Sequence, residues 1–127
     1  MIDAVSMPEH IREAVLEYAR SEYPNEMLLL LRGKVKKETA FIESLVIPPF
    51  VRGSNNRVYF NRMALPADRS LVGSIHSHPS GVAMPSTEDL LYGYGPVIMI
   101  IGYPDEIMAF DKSGKTLKVI FTGNTRL

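Results

Sequence analysis

His76 and His78 stand one residue apart and are followed at once by Pro79, with Asp89 eleven positions beyond the second histidine. Two neutral imidazoles and a carboxylate make three donors, the ligand count of a catalytic zinc ion, which keeps its fourth position for water; structural zinc sites use four protein ligands. A lone histidine near a strand is usually a satisfied core or surface residue. A pair at this spacing differs, because Leu71-Val72-Gly73-Ser74-Ile75 reads as a buried strand. Strand residues i and i+2 point the same way, so both imidazoles leave its end on one face.

The next segment must bring a carboxylate back over that face. Pro79 has no N–H to donate and stops the pairing, so Pro79 to Pro85 is expected to be a loop. Ser86-Thr87-Glu88-Asp89 then reads as a capping box opening a helix that continues through Leu90, Leu91 and Tyr92. Asp89 falls at the third helical position, where a loop folding back from the strand end places it above the two histidines. Ser77, between them, faces the other side of the strand and is expected to be structural.

These residues resemble the signature of the JAMM or MPN-plus metalloproteases: a distant glutamate, His-x-His-Pro, a short loop, and Ser-x-x-Asp. Here it stands as Glu26, then His76-Ser77-His78-Pro79, then Ser86-Thr87-Glu88-Asp89. The resemblance covers most of the chain and looks closest to compact archaeal or bacterial members. It implies a single-domain α/β fold over residues 1–127, a cytidine-deaminase-like α-β-α sandwich around a mixed β-sheet. It also implies Zn2+ held by His76, His78 and Asp89, Glu26 as the base outside the metal shell, and Ser86 donating to the oxyanion. The activity implied is (iso)peptide cleavage after the Gly-Gly tail of a ubiquitin-like protein or its conjugates. Two departures stand apart from the ligands: Leu29 where many members carry glycine, and a short Asn61 to Ser70 stretch.

Without the motif, Glu26 is a charged residue at a strand edge, and most such residues are solvated. Its neighbour Glu22 lies at a helix end. Ser86 can serve as N-cap and as donor together, since a hydroxyl has one proton and two lone pairs. Met84, Tyr92 and Tyr94 are read as packing, and His10 as surface.

A length of 127 residues suits one core, and 46% hydrophobic with 22% charged residues is ordinary globular composition. Zero net charge removes the electrostatic case for nucleic acid. Lys34, Lys36 and Lys37 after Gly33 read as a solvated hairpin tip. The absence of cysteine excludes disulfides, thiolate zinc sites and the Cys-x-x-Cys zinc of nucleobase deaminases. No signal-like amino end or apolar run of about 20 residues is present, so a cytoplasmic chain with no membrane partner is expected. Composition is silent on oligomeric state.

The supporting elements can be read from periodicity. Ile11, Ala14, Val15, Tyr18 and Ala19 describe a helix from Pro8 to Tyr23-Pro24. Strands are expected at Met27–Leu31, at Thr39–Ile47 with Ala40, Ile42 and Ser44 opposite Phe41, Glu43 and Leu45, and at Val58–Phe60. Three more are expected at 97–101, 106–110 and 117–121. Pro48 to Arg57 is the candidate loop flanking the site. Two other classes use part of this pattern: a two-histidine, one-carboxylate iron oxygenase, which needs neither Glu26 nor Ser86, and a non-catalytic scaffold on the same fold, in which loss of ligands is expected.

Overall fold

A computed structural model describes residues 1–48, 52–54, 57–59 and 68–123. The elements run β1 (Ala4–Pro8), α1 (Glu9–Glu22), β2 (Leu28–Lys36), β3 (Thr39–Val46), β4 (Arg52–Ser54), β5 (Arg57–Tyr59), β6 (Leu71–His78), α2 (Thr87–Tyr92), β7 (Val97–Gly102), β8 (Glu106–Phe110) and β9 (Thr116–Thr122). Seven strands form one mixed sheet in the order β1-β3-β2-β6-β7-β8-β9. Pairing is parallel for β1 with β3, β1 with β9 and β6 with β7, and antiparallel elsewhere.

The mixed α/β arrangement agrees with expectation, whereas the mixed sheet of the expected α-β-α sandwich is closed into a barrel. Residues Ala4 to Pro8 pair with Lys118 to Thr122, joining the two ends of the strand order into a barrel. β1 has no local signature, because it is only five residues long and its last, Pro8, reads as part of the helix that follows. Pro8 is in fact the extended residue at the N-cap of α1. Closure is a long-range pairing between the two ends of the chain, and no local pattern encodes it.

The alternation along each strand sorts side chains onto two faces. On the inner face, Val97, Met99 and Ile101 of β7 and Leu29 and Leu31 of β2 share one core with Ile11, Val15, Leu16 and Ala19 of α1. On the outer face, Ile98 and Ile100 pack with Phe110, Ala83 and the half-buried Leu90 of α2. One helix therefore covers each face, and a strand buried on both faces reads as a continuous apolar run, as β7 does. Register pairs His76 with Ile100, so the histidines project from the outer face, beneath α2.

The hairpin of β2 and β3 turns at Lys37, with φ of 55°, so the lysine cluster is at a hairpin tip as expected. The expected faces of β3 hold only as far as Ile42. Arg32 pairs with Ser44 but Gly33 pairs with Ile42, a bulge that inserts Glu43. Beyond it the parity switches, and Leu45, expected beside Phe41, packs against the inner core. Gly33 is the residue that lets the strands approach here: a Cβ on it would lie 1.9 Å from the Phe41 carbonyl oxygen. In the span from Arg52 to Arg57, expected as loop, Arg52–Ser54 forms β4 and Arg57 opens β5, which runs through the expected Val58 and Tyr59 and pairs antiparallel with β4. Phe60 and most of the Asn61 to Ser70 stretch lie outside the described residues.

Gly33→Ala is expected to cost about 2–3 kcal/mol through backbone displacement at the bulge. The exposed Lys34→Ala should stay within about 0.5 kcal/mol. Urea unfolding of both variants measures the difference.

Candidate metal centre

β6 carries both imidazoles to the sheet's outer face. His76 is 8% exposed, and His78 ends the strand. The ring nitrogens Nε2 of the two residues are 3.1 Å apart. Above them, Asp89 Oδ1 is 3.1 Å from His76 Nε2 and Asp89 Oδ2 is 3.2 Å from His78 Nε2. These three side chains are the set that could hold a metal among the described residues.

The approach of Asp89 is built by the expected capping box. Ser86 accepts at Oγ from the Asp89 backbone N–H at 3.1 Å, and Asp89 Oδ2 accepts from the Ser86 N–H at 2.7 Å. The box completes the first turn of α2 and fixes the carboxylate rotamer with one oxygen toward each histidine. Asp at this position replaces the longer Glu or Gln usual in such boxes.

The strand-to-helix loop fixes the other side of the site. His78 Nδ1 and the Val82 carbonyl oxygen are 2.8 Å apart. A carbonyl only accepts, so Nδ1 carries the proton and the neutral ring presents its Nε2 lone pair to the site. Ala83, buried against Ile98, Ile100 and Phe110, anchors the loop. The loop can descend this far because Gly102, paired with His78, has no side chain. A Cβ there would sit 2.6 Å from Gly81 O and 2.9 Å from Ala83 N. Sequence reading missed both features. A glycine closing an apolar strand does signal close backbone approach, but nothing marks which carbonyl will face a histidine.

Glu26 lies two residues before β2 and is half-buried. Extending the antiparallel register from Leu28 and His76 sets it across from His78. Its charge is felt there: the Asp89 hydrogen bond, aided by the Val82 carbonyl and by the Asp89 and Glu26 charges, raises the His78 pKa against the opposing effect of burial. Burial would raise the Asp89 carboxyl, yet the hydrogen bonds from His76 and His78 hold it well below the usual carboxylate range. Glu22 ends α1, and His10 is exposed, as expected.

Donor atoms 3.1–3.2 Å apart suit one small ion. Around a tetrahedral zinc with bonds of about 2.0–2.1 Å, ligand atoms are separated by about 3.4 Å. Two imidazoles and a carboxylate are also a borderline-hard donor set that fits zinc without any thiolate.

Residues 8–113 match the family model for prokaryotic homologs of the JAB domain. The chain belongs to that family. A "probable metalloprotease" of Haloferax volcanii is 36% identical over 124 residues, spanning 89% of this chain and 76% of the relative. A JAB1/MPN domain protein from Archaeoglobus fulgidus superposes with a TM-score of 0.65 at 22% identity, covering 93% and 96% of the two chains. A structure described as a JAMM metalloprotease-like zinc site in the proteasome and signalosome gives 0.63 at 22% identity, over 96% and 99%. A Desulfitobacterium hafniense protein gives 0.72 at 20% identity, over 94% of each chain. Family membership sets the iron-oxygenase reading aside and agrees with the JAMM resemblance of the motif. No helix among the described residues is long and apolar enough to cross a membrane.

His78→Ala is expected to abolish zinc binding, and Asp89→Asn to weaken it more mildly, in competition titrations against a chromophoric chelator. The two loading states should also respond oppositely to pH. In metal-free protein the raised His78 pKa contributes stability that is full below the unfolded value of about 6.5 and fades as pH rises through the folded value. Zinc needs the neutral ring, so the zinc-dependent rise in Tm should shrink as pH falls through that same window. Thermal melts with and without zinc at stepped pH would show it; a zinc increment that grows on acidification contradicts the assignment.

Proposed function

We propose that the chain is a zinc-dependent peptidase that cuts the peptide or isopeptide bond after the Gly-Gly tail of a ubiquitin-like modifier. The observation that carries the reading is the convergence of His76, His78 and Asp89 at 3.1–3.2 Å beside Glu26. The family membership and the metalloprotease name of the haloarchaeal relative support it.

Zinc bound by these three residues would polarise the scissile carbonyl and acidify a water to near neutral pH. Glu26 takes that water's proton and passes it to the departing amine; a carboxylate outside the metal shell can do both in turn. Its half-buried place across from His78 keeps it near the ligands without making it one. Ser86 keeps its hydroxyl proton, because the capping bond uses only an oxygen lone pair. That proton is donated to the oxyanion that develops on the carbonyl.

A Gly-Gly tail would lie extended and pair by its backbone, since glycine alone fits a narrow groove beside the ligands. The closed seven-stranded sheet leaves the two-stranded β4–β5 hairpin as the open-edged element among the described residues. The tail is therefore assigned to that hairpin, which overlaps the Pro48 to Arg57 span expected to flank the site.

Glu26→Gln should lower turnover by about 10² to 10⁴ with zinc content unchanged. Ser86→Ala separates two roles: a cap alone costs about 1 kcal/mol of stability, whereas an oxyanion donor costs about 10² to 10³ in kcat with KM little altered. The second outcome is expected on folded, zinc-loaded protein. The function itself is tested on linear fusions and isopeptide conjugates of ubiquitin-like modifiers. Cleavage after Gly-Gly, abolished by chelation and restored by zinc, is expected; cleavage that survives full metal removal would sink the reading.

A further inference from the structure

Ser77 lies between the two histidines but points away from them, 1% exposed. Its hydroxyl is spent in an unusual place. In a regular antiparallel ladder a hydrogen-bonded pair exchanges two backbone N–H···O=C bonds. Ser77 and Met27 exchange only one of that kind, from Ser77 N–H to the Met27 carbonyl at 3.1 Å. The return bond runs from Met27 N–H to Ser77 Oγ at 2.9 Å, with the side chain standing in for the carbonyl.

This substitution falls where the strand must be left. Below it, Leu28 pairs with His76 in regular register, and β2 begins at Leu28. Above it, one residue further from the ladder, comes the half-buried Glu26. A hydroxyl acceptor is displaced from the carbonyl position, so the backbone at Met27, the residue that follows the glutamate, is held to β6 but off the ladder's regular path. The Met27 side chain is buried on the other face, 2% exposed, and together the two anchors leave the Glu26 backbone little freedom.

We infer that Ser77 is a positioning residue: its hydroxyl fixes Met27 and thereby sets where the Glu26 carboxylate stands relative to the metal ligands. The inference rests on the reading of Glu26 as the base. A merely structural hydroxyl would stabilise the fold and leave the folded enzyme's turnover alone.

The experiment uses the full zinc-loaded chain with Ser77→Ala, and Ser77→Cys as a volume-conserving weak acceptor should the alanine variant fold poorly. Amide exchange by NMR is expected to show lost protection at Met27 while neighbouring β6 amides keep theirs. Turnover of a ubiquitin-like fusion should fall about 10- to 100-fold at unchanged zinc content and nearly unchanged KM, the scale expected when a reacting group shifts by an ångström or less. Ser77→Thr, which retains the hydroxyl, should restore both. In a Glu26→Gln background Ser77→Ala should cost almost nothing further, because the two act as one unit. Unchanged Met27 exchange, or equal losses in both backgrounds, overturns the inference. Normal turnover of Glu26→Gln alone would instead end the base assignment, and the positioning role with it, even with Met27 exchange altered; so the two failures are told apart.

Discussion

The carboxylate of Asp89 is held from two directions. From its own helix, the Ser86 N–H fixes one oxygen at 2.7 Å; from the sheet, two imidazole nitrogens meet the two oxygens at 3.1 and 3.2 Å. An N-cap contributes about 1 kcal/mol, too little to bury a charge by itself. The histidines make burial tolerable, and the carboxylate in turn makes it tolerable to set two ring nitrogens 3.1 Å apart. Either half without the other leaves charged or polar groups facing each other in a partly dry pocket. A cation at their centre satisfies all three groups at once.

The rest of the fold supplies the surfaces that meet there. Ser77 and Ile75 look inward while His76 and His78 look outward, and that parity survives only if β6 cannot slip by one residue. Slippage is blocked on both sides: Leu29 and Leu31 of β2 and Met99 and Ile101 of β7 are all committed to the inner core. α2 is only six residues long and has little intrinsic stability. Leu90 and Ala83 tie it and its leading loop to Ile98, Ile100 and Phe110. The site thus rests on a rigid strand below and a packed, capped turn above.

What the sequence revealed was local. His-x-His on a strand, proline as a stop, and a capping box are patterns of one to four residues, and all three appear in the structure where the spacing puts them. So does the lysine-bearing hairpin tip. Hidden from view were features set by distant partners. The pairing of β1 with β9 depends on residues more than a hundred positions apart. The bulge that turns Leu45 inward arises from how Arg32 and Gly33 meet β3. The Val82 carbonyl that fixes the His78 tautomer is a backbone atom whose direction depends on Gly102 across the sheet. Strand alternation alone turns Ser77 away from His76 and His78; its bond to Met27 becomes visible only when β2 lies beside β6.

X-ray absorption at the zinc edge tests the central claim most directly, because it counts the ligands without reference to any substrate. The protein loaded with one equivalent of zinc should show a four-coordinate shell of nitrogen and oxygen at about 2.0–2.1 Å. Multiple scattering in that spectrum should come from two imidazoles. A shell with one imidazole or none, or zinc in a six-coordinate oxygen environment, would contradict a centre built from His76, His78 and Asp89.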